Sequence, residues 1–393
     1  MHLKTSAEIS ELRAELRSYF ATLLTDDIRK KLRAEGEGGG QTLRSIMAQM
    51  GKDGWLGIGW PTEYGGQGRG ADAQYVFYDE AYRAEAPIPM ITLTTVGPTL
   101  IAHGTKAQKD YFLPKILAGE CIFSIGYTEP EAGTDLASLS TRAIREGNEY
   151  VINGSKVFTS GGDGADWIWL AARTDAEAPK HKGISLILVP TSDPGYSATP
   201  IHTVGGVTTT ASYYDNVRVP ASNIVGEENK GWQMITTQLN HERVGLAAYS
   251  GICEGMLDNV RDWVVGQKTA EGTPLAHEPW VRQLLASSTA RLRAMRLMNW
   301  QLVETVERGE LSPGIASAAK VFATETVIDV YRALLEIVGP SALRVSDSPW
   351  RFDSGRLALM NLSAQINTFG GGVAEIQREI VAWTTLGMAR KSR

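Results

Sequence analysis

The chain has 393 residues, 43% of them hydrophobic and 21% charged, with a formal net charge of −5. That length accommodates two or three domains, and the acidic balance offers no basic surface for nucleic acid or anionic lipid. No run reaches the roughly 18 consecutive apolar residues a membrane span needs, so a soluble chain with neither a nucleic-acid nor a membrane partner is expected.

The two cysteines, Cys121 and Cys253, are far apart and lack C-x-x-C spacing, which fits a reducing, cytoplasmic setting. The six histidines form no H-x-x-x-H or H-E-x-x-H pattern, so no protein-bound metal is expected.

In chain order, Thr5-Ser6-Ala7-Glu8 reads as a capping box, and Ile9, Leu12, Leu16, Tyr19, Phe20 and Leu23 follow at helical spacing. Interleaved charges leave no signal-peptide core. Residues 1–120 read as a helical domain that includes Thr105 to Leu117. It is broken by glycines at 36–40 and by Trp60-Pro61-Thr62-Glu63-Tyr64-Gly65-Gly66. Gly66-Gln67-Gly68-Arg69-Gly70 has no preceding β-run and reads as a loop, not a dinucleotide fingerprint.

Over 121–228 the period changes to alternation. Tyr150 to Phe158 reads as strand, Asn153-Gly154 turn and strand. Further strands are expected at Trp167 to Ala171, Ile184 to Val189 and Tyr213 to Val219, suggesting a small antiparallel barrel or sandwich. From 229 to 393 the pattern is helical again, with helices at 232–265 and 280–308 and a third opened by Ser312-Pro313 and running to about Val338. Two last helices flank a glycine triplet. Long helices with short connections point to an up-down bundle.

The triplet stands in Asn367-Thr368-Phe369-Gly370-Gly371-Gly372-Val373, before an amphipathic helix. Such an entry presents bare N–H groups to an anion or cofactor, but supplies no reactive side chain.

Four ordered motifs carry a resemblance over nearly the whole length. Ile125 to Asp135, with Thr128-Glu129-Pro130-Glu131-Ala132-Gly133-Thr134-Asp135, resembles the T-E-P-x-A-G-S-D signature of the acyl-CoA dehydrogenase family. Asn153-Gly154-Ser155-Lys156-Val157-Phe158-Thr159-Ser160 resembles its N-G-x-K-x-W-I-T strand. Ile376-Gln377-Arg378 resembles the I-Q-R after its catalytic loop, and Pro61 to Gly68 matches a helical-domain marker.

The resemblance implies an α+β fold: an N-terminal helical domain, a middle antiparallel β-barrel and a C-terminal four-helix bundle. It implies FAD-dependent α,β-dehydrogenation of an acyl-CoA, with electrons passed to an electron-transfer flavoprotein. Tyr127 and Thr128 would lie against the isoalloxazine, with Phe158 (where Trp is usual) and Ser160 on its other side. Thr134 would contact flavin phosphate or pantetheine, and Gly371 and Gly372 would complete the cofactor and substrate loop. Taken alone, Thr128 and Thr134 would read as turn hydroxyls bonding their own backbone; the other motifs favour the flavin contacts.

Many members carry a catalytic glutamate five residues before I-Q-R, where this chain has Gly371. Leu239-Asn240-His241-Glu242-Arg243 resembles the L-x-x-E-R segment of isovaleryl- and long-chain-type members, whose base lies on this earlier helix. Glu242 has no Lys or Arg at 238, 239, 245 or 246 to pair with along a helix. It is therefore the expected base, ahead of Glu375 and Glu379, with Arg243 orienting the site or contacting substrate.

Two motifs that family members use to complete a neighbour's flavin site are altered. Trp263 to Ala270 holds no R-x-x-F-G set, and Glu336-Ile337-Val338-Gly339-Pro340-Ser341 puts Glu and Pro into Q-x-x-G-G-x-G. The proline lacks a donor and the carboxylate repels a pyrophosphate. A second, homologous subunit in an α2β2 heterotetramer is expected to supply that half, as in actinobacterial enzymes acting on steroid side chains in cholesterol catabolism. Rival expectations are an oxidase or flavin monooxygenase on the same fold, or a scaffold subunit without chemistry.

Overall fold

The structure is a computed structural model that describes residues 6–35, 39–238, 250–343 and 352–389. The first region holds helices α1 (Ala7–Leu23), α2 (Asp26–Glu35), α3 (Gln41–Lys52), α4 (Ala71–Ala84), α5 (Gly97–His103) and α6 (Lys106–Leu117). In α1 the buried positions are Ile9, Leu12, Leu16 and Phe20, one apolar stripe at helical spacing. Its cap is Ser6, whose hydroxyl accepts from Ile9 N–H. Glu8 therefore falls one residue short of the reciprocal position, and the expected box does not form; Thr5 lies outside the described residues. A complete capping box does occur at α6, between Thr105 and Gln108.

Eight strands follow: β1 (Phe123–Gly126), β2 (Arg142–Glu146), β3 (Glu149–Lys156), β4 (Trp167–Arg173), β5 (Ile184–Pro190), β6 (Tyr196–His202), β7 (Thr208–Pro220) and β8 (Ile224–Val225). They form one sheet in the order β6-β7-β3-β2-β4-β5-β8, with β1 alongside β4. Pairing is antiparallel except where β1 and β2 meet β4, which is parallel.

Asn153-Gly154 does not turn the chain. Strand β3 runs straight through it, and the hairpin turn is Gly147-Asn148, where Glu146 pairs with Glu149 and Gly147 takes φ 63°. At Asn153 the register against β7 slips, so that it opposes both Asp215 and Asn216, and Asn216 adopts φ 53°. A β-bulge of this kind uses the same turn-forming residues that a hairpin would.

Strands β4 and β5 are apolar on both faces because both faces are covered. Trp169, Ala171, Leu186 and Leu188 join the core of the N-terminal helices, while Ile168, Leu170, Ile187 and Val189 pack within the sheet's own core.

After the sheet, residues 231–238 are helical (α7). They are followed by α8 (Ser250–Val265), α9 (Pro279–Glu307), α10 (Pro313–Val338), α11 (Arg356–Ala364) and α12 (Ala374–Thr384). Ser312 caps α10 through Ile315 N–H, and Pro313 occupies its first turn, as the sequence predicts. Helix α10 is the central rod, packed against α8, α9, α11 and α12.

A network of charges joins the two helical regions. Arg13 of α1 reaches Asp79 at 2.5 Å and Glu80 at 2.6 Å on α4, and Arg17 reaches Glu80 at 2.8 Å. Arg83 contacts Glu254 at 3.4 Å and pairs with Asp258 on α8, while Arg296 of α9 binds Glu254 and approaches Asp79 at 3.8 Å. Asp79 and Glu80 are almost wholly buried, so these contacts are required of the fold and not ornaments of its surface. Among the described residues no helix is long and apolar enough to cross a membrane.

Candidate active site

The segment from Thr128 to Thr134 is an irregular loop after β1, and one buried ion pair fixes it. Lys156, at the end of β3, is fully sequestered and donates to Glu129 Oε1 at 2.8 Å and to the Tyr127 carbonyl at 3.0 Å. Glu129 also accepts from Thr141 N–H at 2.8 Å, and from Ser140 N–H at 2.6 Å and its hydroxyl at 2.8 Å. Burial alone would raise the Glu129 carboxyl. The Lys156 ammonium and the bonds from Thr141 outweigh it and hold the group at about 2. One charged residue from each of two separate sequence motifs thus forms the clasp.

The clasp sets up a rim. Thr128 is half-buried, and its carbonyl accepts Val157 N–H at 2.9 Å, so the loop lies against the residues that follow β3. Next to that bond, Phe158 has φ 60° and a side chain left 62% exposed. A bulky residue in the left-handed region is an outlier that persists only where its surroundings impose it. Here they do: Val157 is tied to Thr128, Thr159 N–H to the Thr210 carbonyl at 3.0 Å, and the Thr210 hydroxyl to the Thr159 carbonyl at 2.7 Å. Ser160 is exposed; its carbonyl accepts from Ser124 at 2.9 Å and its hydroxyl lies 3.3 Å from that of Thr209. A rigidly held, solvent-facing aromatic ring edged by hydroxyls fits a planar heteroaromatic group such as a flavin.

Tyr127 points the other way. It is buried, with its hydroxyl donating to Gln238 Oε1 at 2.5 Å and accepting from Trp169 Nε1 at 3.1 Å, while its carbonyl serves Lys156. Its hydroxyl and its carbonyl are both occupied inside the protein. Thr134 is exposed, beside Asp135, which Lys180 binds at 2.6 Å.

Gly371 and Gly372 stand apart from the sheet, with φ 65° and 106°. A side chain at Gly372 would run into the amide of Gln377, a buried residue whose Oε1 meets no donor among the described residues. Lys320 of α10 binds the Gly370 carbonyl at 2.7 Å and also that of Gly372.

Glu242 and Arg243 lie outside the described residues. The helix that precedes them is anchored at its last described turn: Gln238 is buried, takes the Tyr127 hydroxyl and donates to Thr99 Oγ1 at 2.9 Å. Segment 203–210 links the two parts of the site. Gly205 packs on the main chain of Ser363 in α11, which leads to the glycine loop, while Thr209 and Thr210 hold Ser160 and Thr159.

Comparison with known proteins gives matches along nearly the entire chain. Sequence models of the acyl-CoA dehydrogenase N-terminal, middle and C-terminal domains match residues 6–120, 124–217 and 229–386. Acyl-CoA dehydrogenase FadE26 of Mycobacterium tuberculosis is 48% identical, covering 100% of both chains. The chain is a member of the acyl-CoA dehydrogenase family.

Among solved acyl-CoA dehydrogenases, the Tcur3481-Tcur3483 steroid ACAD superimposes with a TM-score of 0.93 at 52% identity, covering all of both chains. The ChsE4-ChsE5 complex of Mycobacterium tuberculosis gives 0.92 at 48%, again over both whole chains. The expected fold and the expected enzyme class, an oxidoreductase of a flavoprotein family, both stand. The roles of three residues that hold this candidate site together escaped the sequence reading: Glu129, Lys156 and Gln238. The first two stand inside the quoted motifs, but their polar surroundings do not mark them as a buried pair. Gln238 carried no signal.

Proposed function

We propose that this acyl-CoA dehydrogenase is the base-bearing subunit of a heteromeric enzyme that desaturates steroid side-chain CoA thioesters. The observation that carries the reading is the rim of Thr128, Phe158 and Ser160, where a strained backbone keeps an aromatic ring outside the core. FAD, when bound there, supplies the acceptor for the hydride leaving the β-carbon.

The chain's own residues do the remainder. Phe158 would stack on the isoalloxazine, Thr128, Ser160 and Tyr127 would border it, and Thr134 would meet the phosphate or pantetheine chain. Gly371 donates its N–H to the thioester carbonyl, which acidifies the α-carbon as charge moves to oxygen. Gly372 keeps the loop free of side chains. Glu242 takes the α-proton, because the position that holds the base in many relatives is Gly371 here, and Arg243 orients the substrate. A carboxylate is a suitable base only in a dry pocket that raises its proton affinity.

Steroid substrates and an unlike partner are supported by whole-length similarity to the Tcur3481-Tcur3483 steroid ACAD and to the two-chain ChsE4-ChsE5 complex. They are also supported by this chain's altered trans motifs. Glu336 and Pro340 both lie on the surface at the end of α10, where they disfavour a pyrophosphate from an identical neighbour. An α2β2 assembly supplies the missing half, and an electron-transfer flavoprotein reoxidises the cofactor.

Glu242→Gln tests the assignment of the base. With flavin retained, turnover of the acyl-CoA is expected to fall by about 10²–10⁴-fold. Unchanged turnover overturns the role of Glu242.

A further inference from the structure

Lys320 belongs to none of the motifs, yet its position bears directly on the glycine loop. It lies on α10 with only 6% of its surface exposed, and its ammonium donates to the main-chain carbonyls of Gly370, at 2.7 Å, and Gly372. We propose that Lys320 is a positioning residue for the substrate thioester, aiming the loop's amides at the carbonyl oxygen and placing a positive charge behind them. This rests on the role given above to Gly371.

The geometry follows from the peptide unit. In a planar trans peptide the N–H points opposite to the C=O of the same unit, and no cis bond occurs among the described residues. With the Gly370 and Gly372 carbonyls drawn toward α10, the N–H groups of Gly371 and Val373 must face away from it. Glycine at 371 and 372 makes this possible, since both take positive φ. The direction is therefore imposed from behind, by a side chain that never meets the substrate.

Charge is the second part. Stapling two carbonyls needs only donors, which a neutral amide could also supply. An ammonium on the carbonyl ends polarises both peptides and makes their N–H groups stronger donors. The N-terminus of α12 adds potential of the same sign: Val373 is its cap residue, and no side chain satisfies the first-turn N–H groups there. When the α-proton passes to the base, the electron pair of the C–H bond moves into the enolate and the negative charge settles on the thioester oxygen. Lys320 and the loop amides stabilise that charge as it forms.

The test is infrared difference spectroscopy of an acyl-CoA carrying a ¹³C-labelled thioester carbonyl, bound to the assembled, flavin-loaded protein. In the wild type the labelled stretch is expected below its solution frequency. In Lys320→Met it is expected to return toward the solution value, with kcat lowered about 10²-fold and KM little changed. Lys320→Arg should recover part of both. Should Lys320→Met fail to fold, Lys320→Gln, which keeps a donor but no charge, is expected at an intermediate frequency.

A folded Lys320→Met or Lys320→Gln with the wild-type frequency and kcat, and only a lower melting temperature, overturns the inference and leaves a structural staple. A wild-type protein that binds the thioester with no shift at all overturns the reading of Gly371 itself, whatever Lys320 does.

Discussion

Glu129 turns its carboxylate inward from the 128–134 loop and accepts four hydrogen bonds on its two oxygens, one of them from the buried Lys156. Glu129→Gln leaves that ammonium sequestered without its counter-charge, a change that costs about 3–5 kcal/mol. The measurement is the denaturation midpoint, and flavin retention should fall with it because Thr128 and Val157 share the clasped segment. The same pair predicts an acid limit. The folded carboxyl sits at about 2 against an ordinary value of 4.5. Its stabilisation is therefore complete above the unfolded value and is lost as pH falls from there toward the folded one. Acid unfolding of Glu129→Gln should lack this component, so the wild-type and variant stabilities converge as pH drops through that window.

Among the elements, the β6–β7 hairpin couples sheet to bundle, and Gly205 is where they touch. A Cβ there would sit 2.8 Å from the main chain of Ser363, closer than real contacts allow, so Gly205→Ala must lift the hairpin from α11. An overpacking cost of about 1–3 kcal/mol is expected. Flavin affinity should weaken as well, since Thr209 and Thr210 of the following strand hold the Ser160 rim; calorimetry and cofactor titration measure the two effects. This coupling was not legible in the sequence, where nothing in residues 203–207 marks a contact with a helix some 150 positions later.

The long helices were legible, down to the Ser312 cap, because periodicity and capping are local signals. Asn153-Gly154 was misread for the complementary reason. Local residues specify a tolerance for unusual φ, while the partner strand decides whether it becomes a turn or a bulge. Of the candidate site, the motifs pointed to Thr128, Phe158 and Ser160, which the fold brings to one rim, whereas Tyr127's inward turn depends on Trp169 and Gln238, far away along the chain.

For the molecule as a whole, the proposed unlike-pair assembly makes a prediction about flavin content. Expressed alone, the chain is expected to carry little flavin. Co-expressed with a homologous acyl-CoA dehydrogenase chain that retains both trans motifs, it should approach one flavin per unlike pair, read by absorbance against protein mass. A fully flavinated, active homo-oligomer contradicts the unlike-pair assembly.

The arginine–carboxylate network has a bearing on how such a chain can change over time. Its charges are shared between segments more than 200 positions apart, Arg13 and Arg296 both meeting Asp79. A drift at one end strands a buried ion at the other. Chimaeras that swap the first hundred residues between relatives should therefore survive only when α8 and α9 travel with them, which makes the two ends of this polypeptide a single inherited unit.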